Sequence, residues 1–355
     1  MQHLISKQDL HDTRWDKSEP EPLAQGHVRL QLDRFALTAN NVTYATFGGP
    51  PMFYWNFFPA ADPAYGRVPV WGFATISQSN AAQIEPGRRV YGYFPISRTL
   101  DIDPINLSPH GFMDGAAHRQ ALSAIYNTYV YSDTDPAYQA DYEAEQMLFR
   151  PRYLTGWMIC DCVTQAAPPA QSVVISSASS KTALAAAHSL KMRGIQTIGL
   201  TSPGNRDYVA HSRLYTQTFT YDAIDQLPQA DRVAYVDFVG RPALTAEIHK
   251  HYGETMVQSL MIGATDWEAD RTPLGTLPGT QPELFFVPSY MVERAKQMAP
   301  GELNRAMMRD LVSFYPVSTD FVTPEAVQGE DAIAKAWVDT LDGNISPKRG
   351  LICSL

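Results

Sequence analysis

The stretch SVVISSASSKTALAAAHSLKMRG, residues 172–194, passes without a break from a strand pattern to a helix pattern. SVVISS (172–177) is a short apolar, β-branched run suited to a strand buried on both faces. SKTALAAAHSLKMRG follows directly, rich in Ala and Leu, with Ser as its starting cap and Gly194 as its stop. Downstream, IQTIGL (195–200), TQTFTY (216–221), VAYVDFVG (233–240), MVQSLMIGA (256–264) and ELFFVP (283–288) repeat the strand pattern. Helical stretches such as PALTAEIHKHYG separate several of them. The alternation predicts an α/β fold with a doubly wound parallel sheet and helices on both faces.

Upstream of Pro168-Pro169 the pattern is different. Residues 26–130 show short apolar segments broken by Gly and Pro: HVRLQLDRFAL, VPVWGFATI, and RRVYGYF after the turn EPGR at 85–88. These predict a compact β-rich domain. DYEAEQMLFRPRYLTGWMICDCV (141–163) reads as helical segments interrupted at Pro151. The tail from about residue 300, with IAKAWVDTLDG and KRGLICSL, is expected to return to the first domain. The expected division is 1–139 with 296–355, and 140–295.

Composition narrows the function. A chain of 355 residues fits two domains, and 45% hydrophobic with 18% charged residues is a globular balance. A net charge of −9 without a dense Lys/Arg run speaks against nucleic acid as a partner. No run approaches the roughly 18 apolar residues of a membrane span, and the charged N-terminus lacks a signal-peptide core. A cytoplasmic protein without a membrane partner is the expectation. Cys160 and Cys162 lie too close together to act as a structural clip, and Cys353 would be left odd. None of the nine histidines forms a zinc spacing with them, so no metal is expected.

In an open parallel sheet the ligand sits where strand meets helix N-terminus. Here that junction is Ser176-Ser177-Ala178-Ser179-Ser180-Lys181-Thr182, where free amides, hydroxyls and the Lys181 ammonium suit a phosphate. The turn has no glycine, although a dinucleotide fingerprint uses glycines for the tight turn and close approach. A serine-rich helix start that caps itself and binds nothing is the other reading. SSKT also resembles the end of a P-loop, with Asp237 placed as a Mg²⁺ ligand, but both P-loop glycines are missing. After the second strand, Thr201, Ser202, Asn205 and Arg206 stand where an NAD site would carry an acid, and they favour a 2′-phosphate and so NADP.

In chain order these segments resemble the zinc-free quinone oxidoreductase and enoyl reductase branch of the medium-chain dehydrogenase/reductase superfamily, and an uncharacterised bacterial family related to it. The resemblance covers roughly residues 26–355. It implies a Rossmann-type nucleotide domain plus a GroES-like β-rich catalytic domain. HVRLQLDRFALTANNVTYATFG matches the catalytic-domain strands and the following Asn-containing turn, which places Asn40 and Tyr44 as catalytic candidates, with Thr43 where the family has Asp. YLTGWMI matches the helix facing the nicotinamide and contributes Thr155. VVISSASSKTA takes the fingerprint position, with Ser177, Ser179, Ser180, Lys181 and Thr182. VDFVG contributes Val239 and Gly240; Gly263 and Phe286 come from the later strands. Zinc-dependent relatives have a Cys near Asn40 and a His-Glu pair at Trp71-Gly72, so the resemblance implies no catalytic zinc.

Met52-Phe53-Tyr54-Trp55-Asn56-Phe57-Phe58 lies just after the Tyr44 turn. Tyr54, Trp55 and Phe57 are expected to line an apolar substrate cleft, or else to be core. His110, Asp114, His118 and Arg119 are expected to be solvent-exposed. The resulting expectation is an NADPH-dependent reductase of an activated C=C bond or quinone, taking an apolar small molecule. A non-catalytic binding or scaffold protein with a degenerate nucleotide site is the alternative. A homodimer through an apolar sheet edge, VQSLMIGAT, is also expected.

Overall fold

The computed structural model describes residues 1–50, 52–262 and 275–355. The chain divides into two compact units, Met1–Leu148 with Val322–Leu355, and Phe149–Phe321. The second boundary falls later than the sequence suggests. Helix Glu302–Ser318 belongs to the second unit, and the first unit resumes only at Val322.

Helix α1 (Glu143–Gln165) carries Pro151 inside it and continues through that residue, so the expected interruption is absent. The proline removes one backbone donor, but burial of Met147, Leu148, Phe149, Tyr153 and Met158 keeps the helix together. The second unit then builds its sheet from β1 (Ser172–Ile175), β2 (Gln196–Thr201), β3 (Gln217–Thr220), β4 (Val233–Asp237), β5 (Met256–Met261) and β6 (Glu283–Leu284). Among the described residues the order is 3-2-1-4-5-6 and every pairing is parallel. Helices α2 (Lys181–Met192), α3 (Arg206–His211) and α4 (Pro242–Tyr252) connect successive strands. Helices α5 (Val287–Ala295) and α6 (Glu302–Ser318) come after the sheet.

Two strand expectations need correction. ELFFVP is a strand only at Glu283–Leu284, because helix α5 begins at Val287 with Pro288 in its first turn. Segment Met256–Met261 is not the sheet edge, since β6 pairs with it. The fully buried strands β1 and β4 carry Val, Ile and Tyr facing both ways, as a sheet covered on both faces requires.

The first unit is β-rich. Among the described residues, nine strands form one sheet. Its path runs Thr323–Gln328, Arg349–Ser354, Val28–Leu37, Pro69–Ser79, Arg89–Pro95, Thr128–Tyr131, Gly111–Asp114 and Pro104–Ser108, with Thr99–Ile102 pairing Val28–Leu37. A three-stranded sheet of Thr13–Asp16, Gln2–Ser6 and Tyr65–Gly66 adds to it. Val28, Leu30, Phe35, Val70, Phe94 and Trp337 lie in its apolar core. Among the described residues no helix is long and apolar enough to cross a membrane.

Candidate functional site

In the second unit the β1–α2 turn folds without glycine by placing Ser177 at φ 49°, in the left-handed region. That conformation costs a residue with a Cβ about 1 kcal/mol or more. The neighbours over-determine it. The Ser177 amide donates to the Tyr221 hydroxyl at 3.0 Å, Ala178 donates to the Leu200 carbonyl at 3.0 Å, and the Tyr215 hydroxyl donates to the Ala178 carbonyl at 2.9 Å. Tyr215 packs on Gly199 of β2, where a Cβ would stand 3.0 Å from its ring.

Buried Ser176 donates to Asp237 at 2.7 Å and accepts from the amides of Phe238 and Val239. Asp237 also accepts from the amides of Val239 and Gly240 and from Thr245 Oγ1. Its carboxylate therefore ties β4 to β1 and to helix α4, a structural role that argues against the Mg²⁺-ligand reading.

At the helix start, Ser180 caps α2 by accepting from the Ala183 amide at 3.2 Å. Ser179 accepts from Asn205 Nδ2 at 3.3 Å, which joins two of the expected site residues. The amides of Ser179 and Thr182 meet no acceptor among the described residues. Lys181 opens the helix and is half-buried. Desolvation brings its ammonium down to about 7, with repulsion from the Arg152 guanidinium contributing in the same direction.

Ser202 precedes the short turn Pro203–Asn205, and exposed Arg206 starts α3. Thr201 is buried at the end of β2, and Val239 is buried beside Gly240 at φ 73°. Thr155 lies half-buried on α1, next to Gly156, whose absent Cβ lets α1 approach Ala186 of α2. Phe286 is exposed just ahead of α5. Gly263 lies outside the described residues. Sequence reading missed Tyr221, Tyr215 and Arg152; an aromatic residue closing the third strand pattern was the available signal for Tyr221.

In the first unit, helix Ala39–Thr46 carries Asn40 and Tyr44. Asn41, rather than Asn40, is the anchoring amide. Its Oδ1 accepts from the Thr38 amide and its Nδ2 donates to the Pro69 carbonyl, each at 2.7 Å. Tyr44 is buried and accepts from Trp71 Nε1 at 3.3 Å. Its ring centre lies 4.6 Å from Tyr54, 5.5 Å from Tyr93 and 6.4 Å from Tyr126. Phe57 joins the cluster 5.1 Å from Tyr126 and 5.4 Å from Tyr93. Burial pushes the Tyr54 phenol up to about 12, with Tyr44 adding to it, and pushes those of Tyr93 and Tyr126 well above the ordinary value. These phenols stay protonated at neutral pH.

Trp55 takes the second of its two expected places, the core, and not the cleft wall. Its indole fills space left by Gly48 and Gly66, where a Cβ would stand 1.9 Å and 2.2 Å away, so it is core. Asp114 and Arg119 depart from expectation, being 4% and 1% exposed. Arg119 donates to Asp114, Asn127, the Tyr129 hydroxyl and the Tyr126 carbonyl, fixing the segment that carries Tyr126. His110 and His118 are exposed. Among the described residues no three His, Cys, Asp or Glu side chains are grouped as metal ligands.

A family model described as "Protein of unknown function (DUF2855)" matches residues 35–346. No curated protein matches the sequence. Among solved structures, CurA from Vibrio vulnificus in complex with NADPH superposes with a TM-score of 0.63 at 13% identity, covering 99% of this chain and 98% of that one. The quinone oxidoreductase of Thermus thermophilus, solved also with NADPH, gives 0.61 at 13% identity, covering 100% and 99%. The yhdH oxidoreductase of Salmonella enterica with NADP gives 0.55 at 15% identity, covering 100% of both. The fold is thus that of the medium-chain reductases, a Rossmann-type sheet and a GroES-like β-rich domain in one chain.

Proposed function

We propose that this chain, which belongs to the DUF2855 family of proteins of unknown function, is an NADPH-dependent, zinc-independent oxidoreductase that passes hydride to an activated C=C bond or a quinone. One observation carries the reading. The 3-2-1-4-5-6 sheet sets the start of α2 beyond the strand where the order reverses, the place where such sheets take up a dinucleotide. The donor set there suits a diphosphate: amides of Ser179 and Thr182, the Ser179 hydroxyl and the Lys181 ammonium. Solved proteins of the same fold hold NADPH or NADP.

When bound, NADPH would supply the hydride. Ser202, Asn205 and Arg206 would hold its 2′-phosphate, with no carboxylate in that short turn to repel it. In the β-rich unit, Tyr44, Tyr54 and Phe57 would form the apolar wall for a planar substrate, with Tyr44 as proton donor and Asn40 as carbonyl ligand. Positions that hold zinc in metal-dependent relatives are Asn40, Trp71 and Gly72 here. The exposed apolar residues Leu284, Phe286 and Val292 on and after β6 fit a homodimer through this sheet edge, which light scattering would test.

A second reading has its own observation. The Ser177 amide and the Ser180 hydroxyl are both engaged within the protein, as in a helix start that caps itself. On that reading the chain is a non-catalytic binding protein. Calorimetric titration with NADPH, NADH and ATP separates the two: NADPH binding, then loss of NADPH absorbance with a quinone or enone, supports the reductase. No heat with any nucleotide supports the alternative.

A further inference from the structure

We infer that the Tyr221 hydroxyl, rather than the Ser177 amide behind it, is the hydrogen-bond donor this turn presents to a diphosphate. The inference rests on the dinucleotide reading above and assigns a residue that reading does not use. In a glycine-rich turn the ligand reaches the backbone directly, because nothing projects from the turn. Ser177 holds the left-handed conformation with its Cβ in place, which keeps a ligand farther from the amide.

That amide is already committed. It donates to Tyr221 Oη at 3.0 Å, and a phenol oxygen that accepts one hydrogen bond still has its own proton to give. Nothing among the described residues accepts that proton. Tyr221 directly follows β3, at the same end of the sheet as the β1–α2 turn, and is only half-buried. Donation from the amide polarises the hydroxyl and carries the backbone donor outward by about one hydrogen-bond length. The Arg241 guanidinium, 5.8 Å from the Tyr221 ring centre, adds positive charge beside it. Burial outweighs the Ser177 amide and Arg241, so the phenol stays above its ordinary value and protonated, as a donor must be.

The test is calorimetric titration of the full-length protein with NADPH and with NADH, for the unaltered chain and two variants. A diphosphate contact is common to both nucleotides, so Tyr221→Phe should weaken both equally, by roughly tenfold or more. Ser177→Gly relieves the left-handed residue. It should leave both affinities within about twofold, because the ligand docks on the tyrosine. An unchanged Tyr221→Phe, or a loss confined to NADPH, overturns the inference, the latter by placing Tyr221 at the 2′-phosphate. Tightening of both nucleotides by Ser177→Gly overturns it independently, by making the amide the direct donor. If the unaltered chain binds neither nucleotide, the function reading falls and the inference falls with it.

Discussion

Arg206 stands exposed at the first position of α3, a few residues past the buried end of β2. A charge-assisted Arg–phosphate contact contributes about 1.5–3 kcal/mol, so Arg206→Ala should weaken NADPH roughly tenfold to a hundredfold and leave NADH unchanged. Equal losses in fluorescence titrations of the two would place Arg206 away from the 2′-phosphate. His3 makes a different residue-scale prediction. It is fully buried, neither ring nitrogen has a hydrogen-bond partner among the described residues, and burial lowers it from 6.5 to about 4. Below pH 6.5 the unfolded chain takes a proton that the folded chain refuses, so stability falls as pH drops toward 4. The loss is on the order of 3 kcal/mol. His3→Phe should flatten that part of the stability–pH curve in urea melts, and an unchanged slope would assign the acid sensitivity elsewhere. Residue roles were the least legible layer of the sequence. Asn40 and Asn41 are equivalent as letters, and only the fold shows that Asn41 reaches the Pro69 carbonyl. Asp114 and Arg119 read as a polar loop because a buried ion pair is recognisable only once both partners are placed.

Elements were more legible, for a physical reason. Strands buried on both faces must be continuous apolar runs, so β1 and β4 stand out from their surroundings, as does the helix that starts after Ser180. Elements held by tertiary context were not legible. Helix α1 survives Pro151, and β6 is two residues long. Gly156 on α1 shows how close packing hides in a single letter. A Cβ there would stand 2.5 Å from the Ala186 amide nitrogen and 2.9 Å from the Ala185 carbonyl carbon, both backbone atoms that cannot rotate away. Helix propensity alone would favour alanine by about 1 kcal/mol. The forced separation of α1 and α2 should outweigh it, for a net destabilisation of about 1–3 kcal/mol in Gly156→Ala by urea melts. A stabilised variant would mean that the two helices have room to part.

At the scale of the molecule, the first unit is assembled from both ends of the chain. Strand Arg349–Ser354 lies between Thr323–Gln328 and Val28–Leu37, with Leu351 opposite Leu37, Ile352 opposite Ala36 and Cys353 opposite Phe35. Leu351, Cys353, Phe35 and Trp337 belong to one apolar cluster. That cluster draws on residues more than three hundred positions apart, so KRGLICSL could be read as a strand but not given a partner from sequence alone. The second unit is continuous, and its sheet cluster, from Val174 to Met256, lies wholly within it. The two units should therefore respond differently to loss of the tail. Ending the chain at Asn344 removes the strand that closes two neighbours, leaves their backbone edges unpaired and opens the face of Phe35 and Trp337. At about 25 cal/mol per Å², losing three buried side chains and two rows of strand hydrogen bonds is comparable with the roughly 5–15 kcal/mol by which a domain is stable. Limited proteolysis of the truncated chain should digest the N-terminal 148 residues while a fragment spanning about 149–321 survives. A truncated chain as resistant throughout as the full-length protein would show that the first unit holds without its last strand.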